Sequence, residues 1–244
     1  MKLGIFGDSF ADLNPSEYID EANDVMPWPM WLSKLMGKEL ICTGRSSTSI
    51  WHSFENFVKH FDECDTIVFA YTSYVRLNGL SDTYSGYSTI MPGYEAFIKD
   101  PDGVAKIICD ARKYLHNEEL QKFIYRKVFE EVNSLCKIHN KKLVNLLSFE
   151  GMNKNYVTNI TNRVREDYVV DFSKTQYPCL VSLFDVSAWE TYINPELNNA
   201  HPDKRHCHMS PKNNQVLAEI VLETFDKPND YLYDLFLDKR FVYE

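Results

Sequence analysis

No apolar run in this 244-residue sequence approaches the length needed to span a bilayer, and no internal repeat or low-complexity tract interrupts it. Positive charge is also scarce. Lys and Arg number 26 against 35 Asp and Glu, a formal charge of −9. That balance counts against a general polyanion binder, because nucleic acids are held largely through clustered cations on phosphates. Neither nucleic acid nor membrane is therefore expected as a partner. The six cysteines (Cys42, Cys64, Cys109, Cys136, Cys179, Cys207) are scattered, with no C-x-x-C pair. Neither a zinc framework nor a disulfide scaffold is indicated, and reduced, mostly buried thiols are expected. The first residues, Met1-Lys2-Leu3-Gly4-Ile5-Phe6-Gly7-Asp8, hold one lysine and few apolar residues before an aspartate, unlike a secretory signal. A cytoplasmic protein is expected, or a virion-associated one if a particle carries it out.

What is present is ordinary for a globular chain: 44% hydrophobic and 25% charged residues. The length suits one sizeable core. A single domain over 1–226 is expected, with insertions near 77–116 and 150–178 and a C-terminal tail over 227–244. Aromatics reach 14%, enough to fill an irregular core or to place rings on the insertions for sugar stacking or protein contact.

The elements alternate. A first strand at residues 3–6 is followed by a helix over 26–36, where Pro27 and Pro29 suit the first turn and Gly37 the stop. Glu39-Leu40-Ile41-Cys42 reads as a second strand. A loop over 43–49 then opens a helix with apolar residues at 50, 51, 54, 57, 58 and 61. The continuous run Asp65-Thr66-Ile67-Val68-Phe69-Ala70-Tyr71 suits a central parallel strand covered on both faces. No period is readable over 77–111. A long helix is predicted over 114–139 on Leu120, Phe123, Ile124, Val128, Phe129, Val132 and Leu135, and a fourth strand over 142–148. Residues 179–185 suit a last strand or a helix start. Ser210 and Pro211 open a final helix reaching residue 225. This alternation implies a parallel sheet sandwiched by helices, an α/β protein.

One stretch carries chemistry. Leu3-Gly4-Ile5-Phe6-Gly7-Asp8-Ser9-Phe10 delivers a serine onto a turn at a strand's carboxyl end, where open α/β sheets place their ligands. Gly7 is expected to give the turn backbone freedom, and Asp8 to accept backbone N–H bonds. A serine hydroxyl needs a base and donors for the oxyanion it creates. The segment His201-Pro202-Asp203-Lys204-Arg205-His206-Cys207-His208 before the final helix supplies histidines and an acid. Gly44-Arg45-Ser46-Ser47 and Thr72-Ser73 end neighbouring parallel strands, so their N–H groups and side chains are expected near Ser9. Arg76 suits either a substrate carboxylate or phosphate or a structural ion pair. His52 and His60 are expected to be structural or solvated, and His201 to be outside the chemistry.

Gly7-Asp8-Ser9-Phe10, together with the histidine that leads the last helix, resembles the SGNH (GDSL-type) serine hydrolases. The resemblance implies a three-layer αβα, flavodoxin-like fold and ester or acetyl-ester substrates, with no metal or organic cofactor. It implies Ser9 as nucleophile, His208 as base and Asp203 as the acid that orients it. The oxyanion would be held by N–H groups of Ser9 and Gly44 or Ser47, with Ser73. The family's acid usually stands three residues before the histidine, a spacing that fits Asp203 with His206 and keeps His206 as the alternative base. Asp185 is a reserve acid, and Asp8 and Arg76 are candidate substrate contacts. The third block departs from the family: Thr72-Ser73-Tyr74 lacks the usual asparagine. Loss of one oxyanion donor costs roughly 10²–10³ in turnover. The expected function is a serine esterase, a deacetylase of O-acetylated carbohydrate or another small ester, with acyl transfer to a sugar using the same residues. The rival reading is a structural or adsorption protein on the same scaffold, such as a phage particle component, assembling with its own copies or into a larger particle.

Overall fold

Six parallel strands in the order β2-β1-β3-β4-β5-β6 form the sheet of this computed structural model, which describes residues 2–13, 26–74, 76, 103–148, 169–183, 186, 209–228 and 230–241. The strands are β1 (Lys2–Phe6), β2 (Glu39–Cys42), β3 (Cys64–Tyr71), β4 (Lys142–Leu147), β5 (Cys179–Val181) and β6 (Leu232–Asp234). Helices α1 (Trp28–Met36), α2 (Ile50–His60), α3 (Val104–Leu115), α4 (Glu118–Ile138) and α5 (Pro211–Thr224) are interspersed among them. The order is that of flavodoxin-like doubly wound sheets, with one strand added at an edge. The chain leaves β1 for β2 on one side and then crosses to β3 on the other. The strand order thus reverses between β1 and β3, and the carboxyl ends of strands at such a point are where doubly wound sheets bind ligands.

Alternation along the strands divides the core in two. Leu3, Ile5, Val68, Ala70, Val144, Leu146 and Leu180 point to one face, where they meet Trp28 and Leu32 of α1 and Leu217, Ile220 and Val221 of α5. Phe6, Ile67, Phe69, Tyr71, Leu143 and Leu147 point to the other, against Phe57 of α2 and Tyr125, Val128, Phe129 and Val132 of α4. The result is the three-layer αβα architecture expected from the sequence. The abundant rings largely fill this second face: Phe57 meets Phe6 edge-on at 5.5 Å and Phe69 at 5.7 Å between centroids.

Local signals set the ends of several elements. Gly37 closes α1 at φ 62°, a left-handed conformation that glycine adopts without steric cost. Ser49 caps α2 through the His52 N–H, and Ser210 caps α5 through the Asn213 N–H.

Several elements differ from the sequence expectation. The helix predicted over 114–139 is two helices, because Asn117 takes an extended conformation and caps α4 by accepting the Leu120 N–H at 3.0 Å. The buried stripe of α4 is Gln121, Tyr125, Val128, Phe129, Val132, Asn133 and Cys136, while Leu120 and Phe123 are about half exposed. Polar bonds turn that face. Asn133 Nδ2 donates to Asn145 Oδ1 of β4 at 3.3 Å, Asn145 returns a bond to Asn133 at 3.1 Å, and Tyr71 donates to Asn145 at 3.1 Å. On α2, His52 and Ser53 are buried while Trp51 and Val58 face outward. His60 pairs with Glu63 at 2.9 Å. α3 begins within the stretch where no period was readable. β6 lies within the segment expected as a tail, where Leu180 of β5 pairs with Tyr233. β5 ends at Val181 because Ser182 takes φ 66°. Among the described residues no helix is long and apolar enough to cross a membrane.

Candidate active site

After Phe6 the chain leaves β1 and closes one 3-10 turn, Ser9–Ala11. Asp8 shapes it from below: Oδ1 accepts the Phe10 N–H at 3.1 Å, and the Asp8 carbonyl accepts the Ala11 N–H at 3.0 Å. Over residues 3–11 every residue is buried except Ser9, which is half-buried. Gly7 serves differently from the expectation. Its φ is not left-handed, but a Cβ there would lie 2.8 Å from the Ala70 Cβ and 3.1 Å from the Ala11 Cβ. Close approach of the turn to β3, rather than backbone freedom, requires glycine at this position.

The loop after β2 forms a second wall. Asp12 and Gly44 make a parallel β-bridge. A Cβ on Gly44 would fall 2.2 Å from the Ala11 carbonyl carbon and oxygen, so only glycine allows the contact. The Cys42 thiol donates to the Ala11 carbonyl at 2.9 Å. Burial pushes this thiol up to about 12, opposed by a hydrogen bond from the Gly44 backbone. Ser47 takes φ 60°, and the Thr48 hydroxyl returns to the Arg45 carbonyl at 2.8 Å. The loop then opens α2, whose N-terminal dipole favours negative charge at this edge of the sheet.

The end of β3 forms the third wall. Thr72, wholly buried, donates its hydroxyl to Asp8 Oδ2 at 2.6 Å. Arg76 Nη2 lies 3.0 Å from the same oxygen, and Arg76 Nη1 donates to the Thr48 carbonyl at 2.7 Å. The Arg76 N–H bonds to the Ser73 carbonyl at 3.3 Å. Burial draws the guanidinium below its ordinary value, and Asp8 opposes the shift. Ser9, Gly44, Ser47, Ser73, Asp8 and Arg76 thus belong to three loops tied together at one edge. Asp8 and Arg76 are bonded to each other inside the protein.

A fourth element reaches the same turn from α1 and α5. Trp28 Nε1 donates to the Phe10 carbonyl at 2.6 Å, and the Trp28 backbone N–H donates to Asn214 Oδ1 at 3.0 Å. Asn214 Nδ2 in turn donates to the carbonyls of Met209 and Ser210, both at 3.0 Å. Three hydrogen bonds therefore link the residue after Ser9 to Met209. His201, Asp203, His206, His208 and Asp185 lie outside the described residues. Thr72 was expected near Ser9 but not as a partner of Asp8, and Thr48, Trp28 and Asn214 were not singled out from the sequence. The one readable hint is the pair Asn213-Asn214, polar residues in phase with the buried stripe of α5. Among the described residues no three His, Cys, Asp or Glu side chains group as metal ligands.

No protein-family model matches the chain, and no curated protein sequence matches it significantly. Solved structures give weak likenesses. One is the crystal structure of an acetyl xylan esterase, AlAXEase, with a TM-score of 0.42 and 14% identity over 91% of this chain and 98% of that one. Another, from Desulfitobacterium hafniense, is described as a lipolytic protein of the G-D-S-L family, with a TM-score of 0.39 and 11% identity over 91% of this chain and 98% of the other.

Proposed function

We propose that this chain is a serine ester hydrolase that works through an acyl-enzyme at Ser9. The reading is carried by one observation: the half-buried Ser9 sits at the carboxyl end of β1, on a turn whose every other member is buried, beside the point where the strand order reverses. Ser9 Oγ attacks the ester carbonyl while His208 takes its proton, giving a tetrahedral oxyanion held by the N–H groups of Ser9 and Ser47 or Gly44, with Ser73. The imidazolium gives its proton to the departing alcohol. Water, deprotonated by the same histidine, then attacks the acyl-enzyme and releases the acid and Ser9. Asp203 orients the imidazole.

His208 is preferred to His206 because it directly precedes Met209, whose carbonyl is bonded through Asn214 and Trp28 to the turn of Ser9. The substrate class proposed is an O-acetylated carbohydrate or another small ester, with specificity assigned to 77–111 and 150–178. Hydrolysis of 4-nitrophenyl acetate and acetate release from an acetylated oligosaccharide, by wild type, Ser9→Ala, His208→Ala and His206→Ala, test the reading. Loss of about 10³-fold or more in turnover is expected for Ser9→Ala and His208→Ala, with His206→Ala within a few-fold of wild type. A wild type no faster than Ser9→Ala sinks the proposal.

A further inference from the structure

We propose that Arg76 is a positioning residue of this site, holding the nucleophile turn at a set distance from the loop that supplies the oxyanion donors. The inference rests on the reading of Ser9 as nucleophile. Its basis is where the two ends of one guanidinium are bonded. Nη2 lies 3.0 Å from Asp8 Oδ2, while Nη1 donates to the Thr48 carbonyl at 2.7 Å. Asp8 belongs to the turn of β1 and Thr48 to the loop between β2 and α2. The planar fork of arginine fixes both the separation and the relative direction of its acceptors, which a flexible ammonium does not.

Each acceptor is coupled to a functional group. The Asp8 carboxylate cannot rotate freely, because Oδ1 accepts the Phe10 N–H and Oδ2 also accepts the Thr72 hydroxyl. Its plane therefore sets the backbone of the turn that begins at Ser9. Thr48 follows Ser47 directly, and its hydroxyl bonds back to Arg45, so the carbonyl gripped by Arg76 belongs to a braced loop. Through its own N–H, Arg76 also holds the Ser73 carbonyl. One residue touches all three walls.

Arg76 is only 8% exposed, and its guanidinium is bonded inside the protein to a carboxylate that is wholly buried. This geometry turns Arg76 from a candidate substrate contact into a brace. A displacement of about 1 Å between nucleophile and oxyanion donors costs on the order of 10²-fold in rate. Substrate binding depends on other contacts and should change little.

The test is steady-state hydrolysis of 4-nitrophenyl acetate by full-length wild type, Arg76→Met and Arg76→Lys, with active sites counted by covalent labelling of Ser9 with a fluorophosphonate. Counting sites removes any loss due to misfolding. Arg76→Met is expected to lower kcat per labelled site about 10²-fold with KM within threefold. Arg76→Lys, which keeps a cation against Asp8 and protects the fold, is expected still to lose at least tenfold in kcat. If kcat per site stays within threefold of wild type in both variants, or in Arg76→Lys where Arg76→Met does not fold, Arg76 is merely structural and the inference is wrong. A rise in KM with kcat unchanged makes it a substrate contact and also overturns the inference. A wild type that takes no label on Ser9 refutes the esterase reading itself, and the inference with it.

Discussion

Replacing Asp8 by Asn should destabilise the protein severely while leaving its shape almost unchanged. Asp8 is wholly buried and the Arg76 side chain is 9% exposed, with 3.0 Å between Nη2 and Oδ2. An Asn oxygen can still accept the Phe10 N–H. Its amide nitrogen must then face Thr72 and Arg76. The threonine hydroxyl can rotate to accept, whereas the guanidinium has only donors. The variant removes the Asp8 charge from beside a buried cation, and breaking a buried pair at one partner costs about 3–5 kcal/mol. For a chain of this size the melting temperature would fall by roughly 6–20 °C, at about 2–4 °C per kcal/mol. Urea unfolding followed by circular dichroism should show a lower midpoint with an unchanged slope. The double variant Asp8→Asn/Arg76→Met removes both charges and should recover at least half of the loss, since an apolar replacement of a buried pair is close to neutral. Added salt should matter little, because buried pairs are poorly screened. A loss below about 1 kcal/mol for Asp8→Asn, or a double variant no more stable than the single one, would refute the assignment of this pair as a buried, mutually dependent one.

Two further outcomes follow from the same coordinates. Ser182 is wholly buried at φ 66°, and its hydroxyl has no hydrogen-bond partner among the described residues. Ser182→Gly removes left-handed strain and an unpaired hydroxyl, against the extra chain entropy of glycine, and should stabilise by about 1 kcal/mol in urea unfolding; a destabilised variant contradicts this. Burial pushes the thiols of Cys42, Cys136 and Cys179 up to about 12 and that of Cys64 up to about 11. Unfolded thiols titrate near 8.5, so the folded state binds protons more tightly, and the stability they add is complete below about pH 8.5 and lost as pH rises toward 11–12. Melting temperature should therefore hold from pH 6 to 8 and fall steeply above about pH 9, and the buried thiols of Cys64, Cys136 and Cys179 should resist a disulfide reagent at pH 8 until the chain unfolds. Rapid labelling of the native protein at any of them would contradict the burial.

The legible parts of the fold are those specified by neighbours in the chain. α1 is bracketed by Pro27, Pro29 and Gly37, α2 opens on Ser49, and α5 opens on Ser210-Pro211. β3 is long and apolar enough to declare itself. β6 is not: three residues show no period, and the strand exists because β5 offers a free edge. The face of α4 was legible in Val128, Phe129 and Val132, which are buried, and in Ile124 and Leu135, which pack against that cluster, but not at its first turns. Including Gln121 and Asn133 in the buried stripe turns the helix and exposes Leu120 and Phe123. Ser9 could be placed on a turn because Gly7 and Asp8 directly follow an apolar run. Its supports could not, since the Trp28 to Asn214 bond spans 186 residues and the Thr72 to Asp8 bond spans 64. Polar pairs at such separations leave no periodicity in the sequence, only isolated polar residues in apolar surroundings.

The same isolation bears on why the pair behind Ser9 is ionic. Packing alone would be served by apolar side chains, since a buried ion pair is seldom more stable than well-packed hydrophobic residues of similar volume. Apolar residues at positions 8 and 76 could fill the space beneath the turn, but they could not cap the Phe10 N–H or engage the Thr72 hydroxyl and the Thr48 carbonyl. Those groups lie on the connections that follow β1, β2 and β3, of which the first two are also joined by the Asp12–Gly44 bridge. A carboxylate accepting from Phe10 and Thr72, and a guanidinium spanning Asp8 and Thr48, fix their relative positions directionally. Stability is thus exchanged for registration at the carboxyl edge of the sheet, beside the half-buried Ser9, and on the proposed reading of Ser9 as nucleophile such an exchange serves the alignment of nucleophile and oxyanion donors.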